Sequence, residues 1–324
     1  MYNFEIEKAK AKQMFIENGL DSNQSEIVAD CMATADLYGV TTHGCAILPA
    51  HISRMQRGGY NLTPDFKVIR ETFSFAVIDG DNAIGPVSAK FCLDYGIKKS
   101  KETGVFTIFS RNNNTFGPAF YYSLKAAEQG CIALISSNSP AQMAPEGGKQ
   151  KMLGTNPFSV VIPVPNREPI IIDMATSVVA KSRFKEYKVA NKPLPEGWAL
   201  DINGNPTTNP DEALSGLVLP MAGFKGYAIS MLIDVLSGVL SGSSFLNKVG
   251  SFYCDKNDSM NVGYYITVID TKIVCGDEYD KNIVEFVDLL RNSECIDGRT
   301  ISIPGDDRIK KKHELLNPVK LNWQ

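Results

Sequence analysis

The N-terminal stretch interleaves charged and apolar residues, whereas the middle of the chain gathers its apolar residues into short unbroken runs. The first pattern predicts helices. One covers 5–17, with Gly19 just past its end. Asp21 is placed to cap a second, with Gln24 at the capping-box position; it runs to Tyr38 and stops at Gly39. A third starts near Pro49, where proline suits a first turn, and ends at Gly58-Gly59. The second pattern predicts strands. SFAVIDG (74–80), VFTIFS (105–110) and CIALISS (131–137) are separated by helices over 87–101 and 116–128, closed by Gly104 and Gly130. Strand–helix–strand with unbroken apolar strands argues for parallel pairing in an α/β layer. FSVVIPV (158–164), PIIIDMA (169–175), GYYITVID (263–270) and TISIPG (300–305) read as further strands. Further helices are expected over 181–190, 223–240 and 281–292, and the turn-rich stretch 195–210 reads as an exposed loop. No long linker divides the chain. The expected organisation is a central α/β domain over 115–275, with 1–114 and 276–324 packed together as a second.

Composition adds exclusions. The 324 residues are 44% hydrophobic and 21% charged, ordinary for a soluble protein with a large core. A net charge of −3 gives no general attraction to nucleic acid or to an anionic membrane. The basic run 310–312 reads as a solvated face. The longest apolar stretch, around 227–240, is broken by Ser230, Asp234, Ser237 and Gly238 and is too short and polar to span a bilayer. Cys31, Cys45, Cys92, Cys131, Cys254, Cys275 and Cys295 form no CxxC pair and are odd in number. They read as reduced, mostly buried thiols of a cytoplasmic protein. The charged N-terminus does not read as a signal peptide.

Candidate chemistry is first defined by what is missing. No GxGxxG follows a strand, and neither GxxxxGK[ST] nor GxSxG occurs. The histidines are His43, His51 and His313, too dispersed for a zinc site, so no metal is expected. What remains is a set of polar, glycine-rich loops after the apolar runs: RNNNTFGP (111–118), SNSPAQMAPEGG (137–148), LGTNPF (153–158) and DMATS (173–177). Strand carboxyl ends are where α/β sheets bind ligands. Asp173 ends an apolar run, so its carboxylate needs a partner, either backbone N–H groups or a histidine. His43 lies in a link between two helices, with Gly39 and Gly44 on either side.

With these residues in view, the chain from about 10 to 305 resembles the type-2 malate/L-lactate dehydrogenase family. The resemblance rests on DLYGVTTHG, RNNNTFG, MAPEGG, LGTNPF, IIIDMATSVVA, PEGWALD followed by GNPTT, LPMAGFKGYAISMLIDVLSGVLSG and a final PG, in order and at family spacing. It implies a non-Rossmann NAD(P)-binding α/β fold, a mixed sheet with flanking helices, in which 115–275 binds the cofactor. It implies hydride transfer between NAD or NADP (NAD slightly favoured) and a small 2-oxo or 2-hydroxy acid, in a homodimer. An imine reductase acting on a 2-imino acid and a non-catalytic NAD(P)-binding paralogue are the alternatives. His43 falls on the family's catalytic histidine, and Asp173 looks like the acidic partner that orients it. Thr42 stands where a serine is usual, and Ser139, Asp173, Met174, Ala175, Lys225 and Gly305 fall on cofactor contacts. His51, on the following helix, and Thr115 are placed to meet the substrate.

The chemistry is sensible in its own terms. Reducing a ketone needs a proton at oxygen as hydride reaches carbon, and a histidine near neutrality serves both directions. Three departures alter the expected substrate pocket. Ile47 stands where many relatives carry a carboxylate-binding arginine, which Arg54 or Arg111 would have to replace. Thr115 stands for the histidine of an NHFG motif, and Tyr264 for that of VGHF. Lys181, Arg183 and Lys185 read equally as a contact for a 2′-phosphate or as a solvated helix face.

Overall fold

The computed structural model describes residues 3–253 and 259–316. It opens with three helices, α1 (Phe4–Glu17), α2 (Ser22–Leu37) and α3 (Leu48–Gln56). Asp21 caps α2 by accepting the N–H groups of Asn23 and Gln24 at 2.7 and 3.2 Å. The capping box is not closed, because the Gln24 amide donates instead to the Leu62 carbonyl at 3.2 Å. Gly39, at φ +76°, ends this helix. Two short 3-10 turns, Thr41–His43 and Cys45–Ile47, then meet at Gly44. A β-carbon there would lie 1.7 Å from Asp36 Oδ1, whose carboxylate accepts the Cys45 N–H through Oδ2 at 2.8 Å. Only glycine lets the chain pass this close, which sets the backbone beside His43.

Next come β1 (Lys67–Glu71), β2 (Phe75–Asp79), α4 (Gly85–Thr103), β3 (Val105–Asn113), α5 (Ala119–Ala127), β4 (Cys131–Ser137), β5 (Phe158–Ile162) and β6 (Ile170–Met174). They are followed by α6 (Ser182–Val189), β7 (Ala199–Leu200), β8 (Pro206–Thr207), α7 (Pro210–Ser215), β9 (Leu217–Val218) and α8 (Phe224–Asp234). The chain ends in β10 (Val262–Asp270), α9 (Thr271–Cys275), α10 (Glu278–Arg291) and α11 (Asp306–Leu316).

Seven strands form one sheet in the order β1-β2-β3-β10-β4-β5-β6, so strands on both sides of position 114 share it. The expectation of parallel pairing holds for β2 and β3 alone; every other neighbouring pair is antiparallel. β3 and β4 do run the same way, but β10 lies between them, antiparallel to both. It fills the space that the α5 crossover leaves open. The core beneath joins Ile78, Phe106, Ile108, Ile135, Ile266 and Val268 to residues of α4 and α5. Each such side chain contributes about 1.5–3 kcal/mol on burial.

The sequence reading also needs other corrections. The segment 300–305 is not a strand: Pro304 has no N–H to donate, and one bond, from Ile171 N–H to the Pro304 carbonyl (2.9 Å), ties it to β6. The stretch 195–210 is not wholly exposed, since β7 pairs with both β8 and β9 in a second, three-stranded sheet. Its residue Ala199 packs with Phe184, Leu194, Ala213 and Val218. The helix expected over 223–240 leaves α geometry after Asp234 and finishes in π turns, Val235–Val239. β1 escaped the pattern because all its residues are exposed, so it shows no buried face. Of the cysteines, Cys31, Cys92 and Cys131 are buried, Cys45 and Cys275 half-buried and Cys295 exposed, while Cys254 lies outside the described residues. Among the described residues no helix is long and apolar enough to cross a membrane.

Candidate active site

One edge of the large sheet carries the carboxyl ends of β3, β4 and β6 and, because of the antiparallel pairings, the starts of β5 and β10. A cavity of about 520 Å³ opens there. Thr42 and His43 reach it from the 3-10 turn, Thr115 from beyond β3, and Ser139 from beyond β4. Asp173, Met174 and Ala175 reach it from the end of β6, and Arg308 from the first turns of α11. Much of the remaining wall is apolar, with Val40, Phe116, Pro140, Val178 and Met221. Segments far apart in the chain thus meet because the sheet brings their loops to one edge.

His43 is partly exposed. Its pKa is depressed to about 4, first by burial and then by the positive charge of Arg308. The imidazole is therefore neutral at pH 7. Asp173 was expected behind it. Among the described residues no hydrogen bond joins the two; the carboxylate turns to Arg308 instead, with Oδ2 at 2.6 Å from Nη2. The same Nη2 also donates to the Asp173 backbone carbonyl at 3.2 Å. Burial pushes the pKa of Asp173 up against the opposing pull of Arg308. The guanidinium of Arg308 lies over the Phe120 ring, 5.0 Å from its centre. Its Nη1 is buried with no hydrogen-bond partner.

The other predicted residues separate into those that reach the cavity and those that do not. His51 does not: it is 3% exposed and packs in the core, with Nδ1 2.9 Å from the Tyr60 hydroxyl. The Phe15 and Phe252 rings meet it edge-on. Burial, followed by the charges of His43 and Arg54, lowers its pKa to about 3. Arg54 is also withdrawn, at 1% exposed, with Nη2 3.1 Å from Asn114 Oδ1 and its guanidinium over Tyr60. Arg111 is engaged by Asp79 at 3.1 Å. Neither arginine replaces the one expected at position 47, and Ile47 itself packs against the core of the N-terminal helices. Lys225 is exposed in the first turn of α8 and does not line the cavity. Gly305, at φ +102°, lies outside it too, pressed against Ile171. Arg308 is the residue that sequence reasoning missed. It sits in a charged helix, and nothing in that pattern marks one arginine among its neighbours. Among the described residues no cluster of His, Cys, Asp and Glu is arranged to hold a metal.

Comparison with known proteins adds a family and relatives. The family model described as "Malate/L-lactate dehydrogenase" matches residues 3–318. The chain is 38% identical over 287 residues to the malate dehydrogenase of Pyrococcus horikoshii, covering 85% of this chain and 78% of that protein. It is 36% identical over 295 residues to the L-sulfolactate dehydrogenase of Methanocaldococcus jannaschii, covering 91% and 85%. The solved structure of sulfolactate dehydrogenase from M. jannaschii superposes with a TM-score of 0.89 at 35% identity, covering 96% of this chain and 90% of that one.

Proposed function

Because the chain belongs to the malate/L-lactate dehydrogenase family, we propose that it transfers a hydride reversibly between NAD(P)H and a small 2-oxo or 2-hydroxy acid. One observation carries this reading: a neutral imidazole, His43, shares an apolar-walled cavity with a single guanidinium, Arg308. The donor set suits the cofactor. Ser139, Thr155 and Ser177 offer hydroxyls, and Pro140, Val178 and Met221 offer flat apolar surface for a nicotinamide ring. Ser139, Asp173, Met174 and Ala175 would hold that half, with Lys225 and Gly305 contributing beyond the cavity. When bound, the nicotinamide supplies or takes up the hydride.

The protein must move the proton. In oxidation, neutral His43 accepts the hydroxyl proton as the C–H bond gives up its hydride. In reduction, the protonated ring returns it to the carbonyl oxygen. Thr42 and Thr115 orient that oxygen, and Asp173 braces Arg308. NAD is the first choice, because Lys181 donates to the Gly216 carbonyl at 3.3 Å and Arg183 pairs with Glu186 at 2.6 Å. Both are already engaged by the protein, so neither is set aside for a 2′-phosphate. The functional unit is a cytoplasmic homodimer. Its interface includes the face of α8 and the π turns, where Phe224, Met231, Leu232 and Val235 are 63, 47, 55 and 41% exposed. Light scattering of the active enzyme reads the dimer, and a fully active monomer would refute it. The activity is tested by following reduced-nicotinamide absorbance with a panel of 2-oxo acids and both cofactors. Tight NADH binding with no turnover on any of them would sink the proposal.

A further inference from the structure

We infer that Arg308 is the carboxylate anchor of this site, and that its substrate is a 2-oxo acid with a single carboxylate and a small, largely apolar remainder. This deepens the dehydrogenase reading and rests on it. A 2-oxo acid is an anion, so a cavity that takes it out of water needs a cation to receive it. Among the described residues that line this cavity, Arg308 is the one permanent cation. Arg54 and Arg111 are committed to Asn114 and Asp79, and position 47 is an isoleucine packed in the core.

Arg308 is also held as an anchor should be. Asp173 fixes Nη2 through both a carboxylate and a carbonyl oxygen, and Phe120 supports the guanidinium plane. Nη1 is left without an acceptor. A buried donor with no partner is costly, and a substrate carboxylate oxygen supplies the missing acceptor at Nη1, since Asp173 already holds Nη2. His43 lines the same cavity, so an acid anchored at Arg308 shares it with the imidazole. The single anchor sets the substrate class. Asp173 already balances part of its charge, and the described residues of the wall offer no second cation, so a second carboxylate or a sulfonate would be desolvated there without compensation.

The test is calorimetric titration of oxamate, an unreactive monocarboxylate analogue, into the full-length enzyme with and without NADH. NADH binding is followed separately by its fluorescence. Arg308→Gln should weaken oxamate by about thirtyfold or more, as expected for removing one partner of a buried charge pair. Arg308→Lys keeps a charge for Asp173 but loses the second nitrogen that Nη1 provides, and should weaken oxamate about tenfold. NADH affinity should fall less than oxamate affinity, because Arg308 touches the cofactor side of the cavity only through Asp173. Wild-type turnover should favour pyruvate over oxaloacetate. If Arg308→Gln does not fold, Arg308→Lys decides. Wild-type oxamate affinity in a folded variant, or a preference for oxaloacetate, overturns the inference. If the enzyme binds no NADH, the dehydrogenase reading fails, and oxamate titration of the enzyme alone still decides whether Arg308 is an anion anchor.

Discussion

His43 and His51 lie in adjoining turns of one short segment, yet they belong to different parts of the molecule. Both rings are pushed well below the ordinary histidine range, and burial is the largest cause in each case. Around His51 that burial is complete. Tyr60 takes its Nδ1, and aromatic rings close over the rest. Around His43 the wall is open to a cavity, and its charged neighbour is an arginine with a donor to spare. A depressed histidine is thus not a signature of chemistry. What separates the two is access and the second charged group. The same contrast divides Arg54, sealed beneath Asn114 and Tyr60, from Arg308 at the cavity wall.

The comparison breaks most easily at His43. His43→Gln should fold and bind cofactor but lose about a hundred- to ten-thousandfold in kcat, the range for general acid–base catalysis. Steady-state kinetics on the preferred acid provides the check, and near wild-type kcat would make His43 a packing residue. Asp173→Asn comes next. It leaves the Arg308 charge half-buried without its counter-ion, so stability should fall by up to about 3–5 kcal/mol, the range for breaking a buried pair. Denaturant unfolding measures this. KM for the acid should rise with it, because the guanidinium is no longer braced.

Acid conditions sharpen the contrast. Both histidines have folded-state pKa values, about 4 and about 3, that lie below the ordinary histidine value of 6.5. The unfolded chain therefore takes up their protons first as pH falls. Their contribution is complete above that ordinary value and is lost on going from there toward pH 4, at about 1.4 kcal/mol per pH unit for each ring. His51→Phe should remove one ring's share of that slope in unfolding titrations between those limits. It also strands the Tyr60 hydroxyl, which costs about 1–3 kcal/mol. On catalysis the same variant should have the smallest effect, with kcat within about threefold of wild type, since the ring is not on the cavity. A large fall in kcat with unchanged stability would place His51 in the machinery after all.

Much of this protein is legible in local pattern. The caps and glycines marked the first three helices, and the unbroken apolar runs marked β2 to β6 and β10 to within a few residues. The motif set named the family and pointed to His43, Thr42, Thr115, Ser139 and 173–175, all of which reach one cavity. These features are carried by residues close in sequence, so they can be read without the fold. Others depend on which distant segments meet. β10 enters between β3 and β4, a placement fixed by which strand edges stay open after the crossover and not by its own alternation. Asp173 had two expected kinds of partner, and folding gave it one of them, the Phe120 backbone N–H, together with Arg308, 135 residues away, which the sequence did not suggest. His51 looked available because it lies on the helix that follows the His43 turn, but that helix turns its side into the Phe15–Tyr60–Phe252 cluster. Charge pairing and burial are decided by proximity in space, and only the packed chain brings an arginine from α11 to the end of β6.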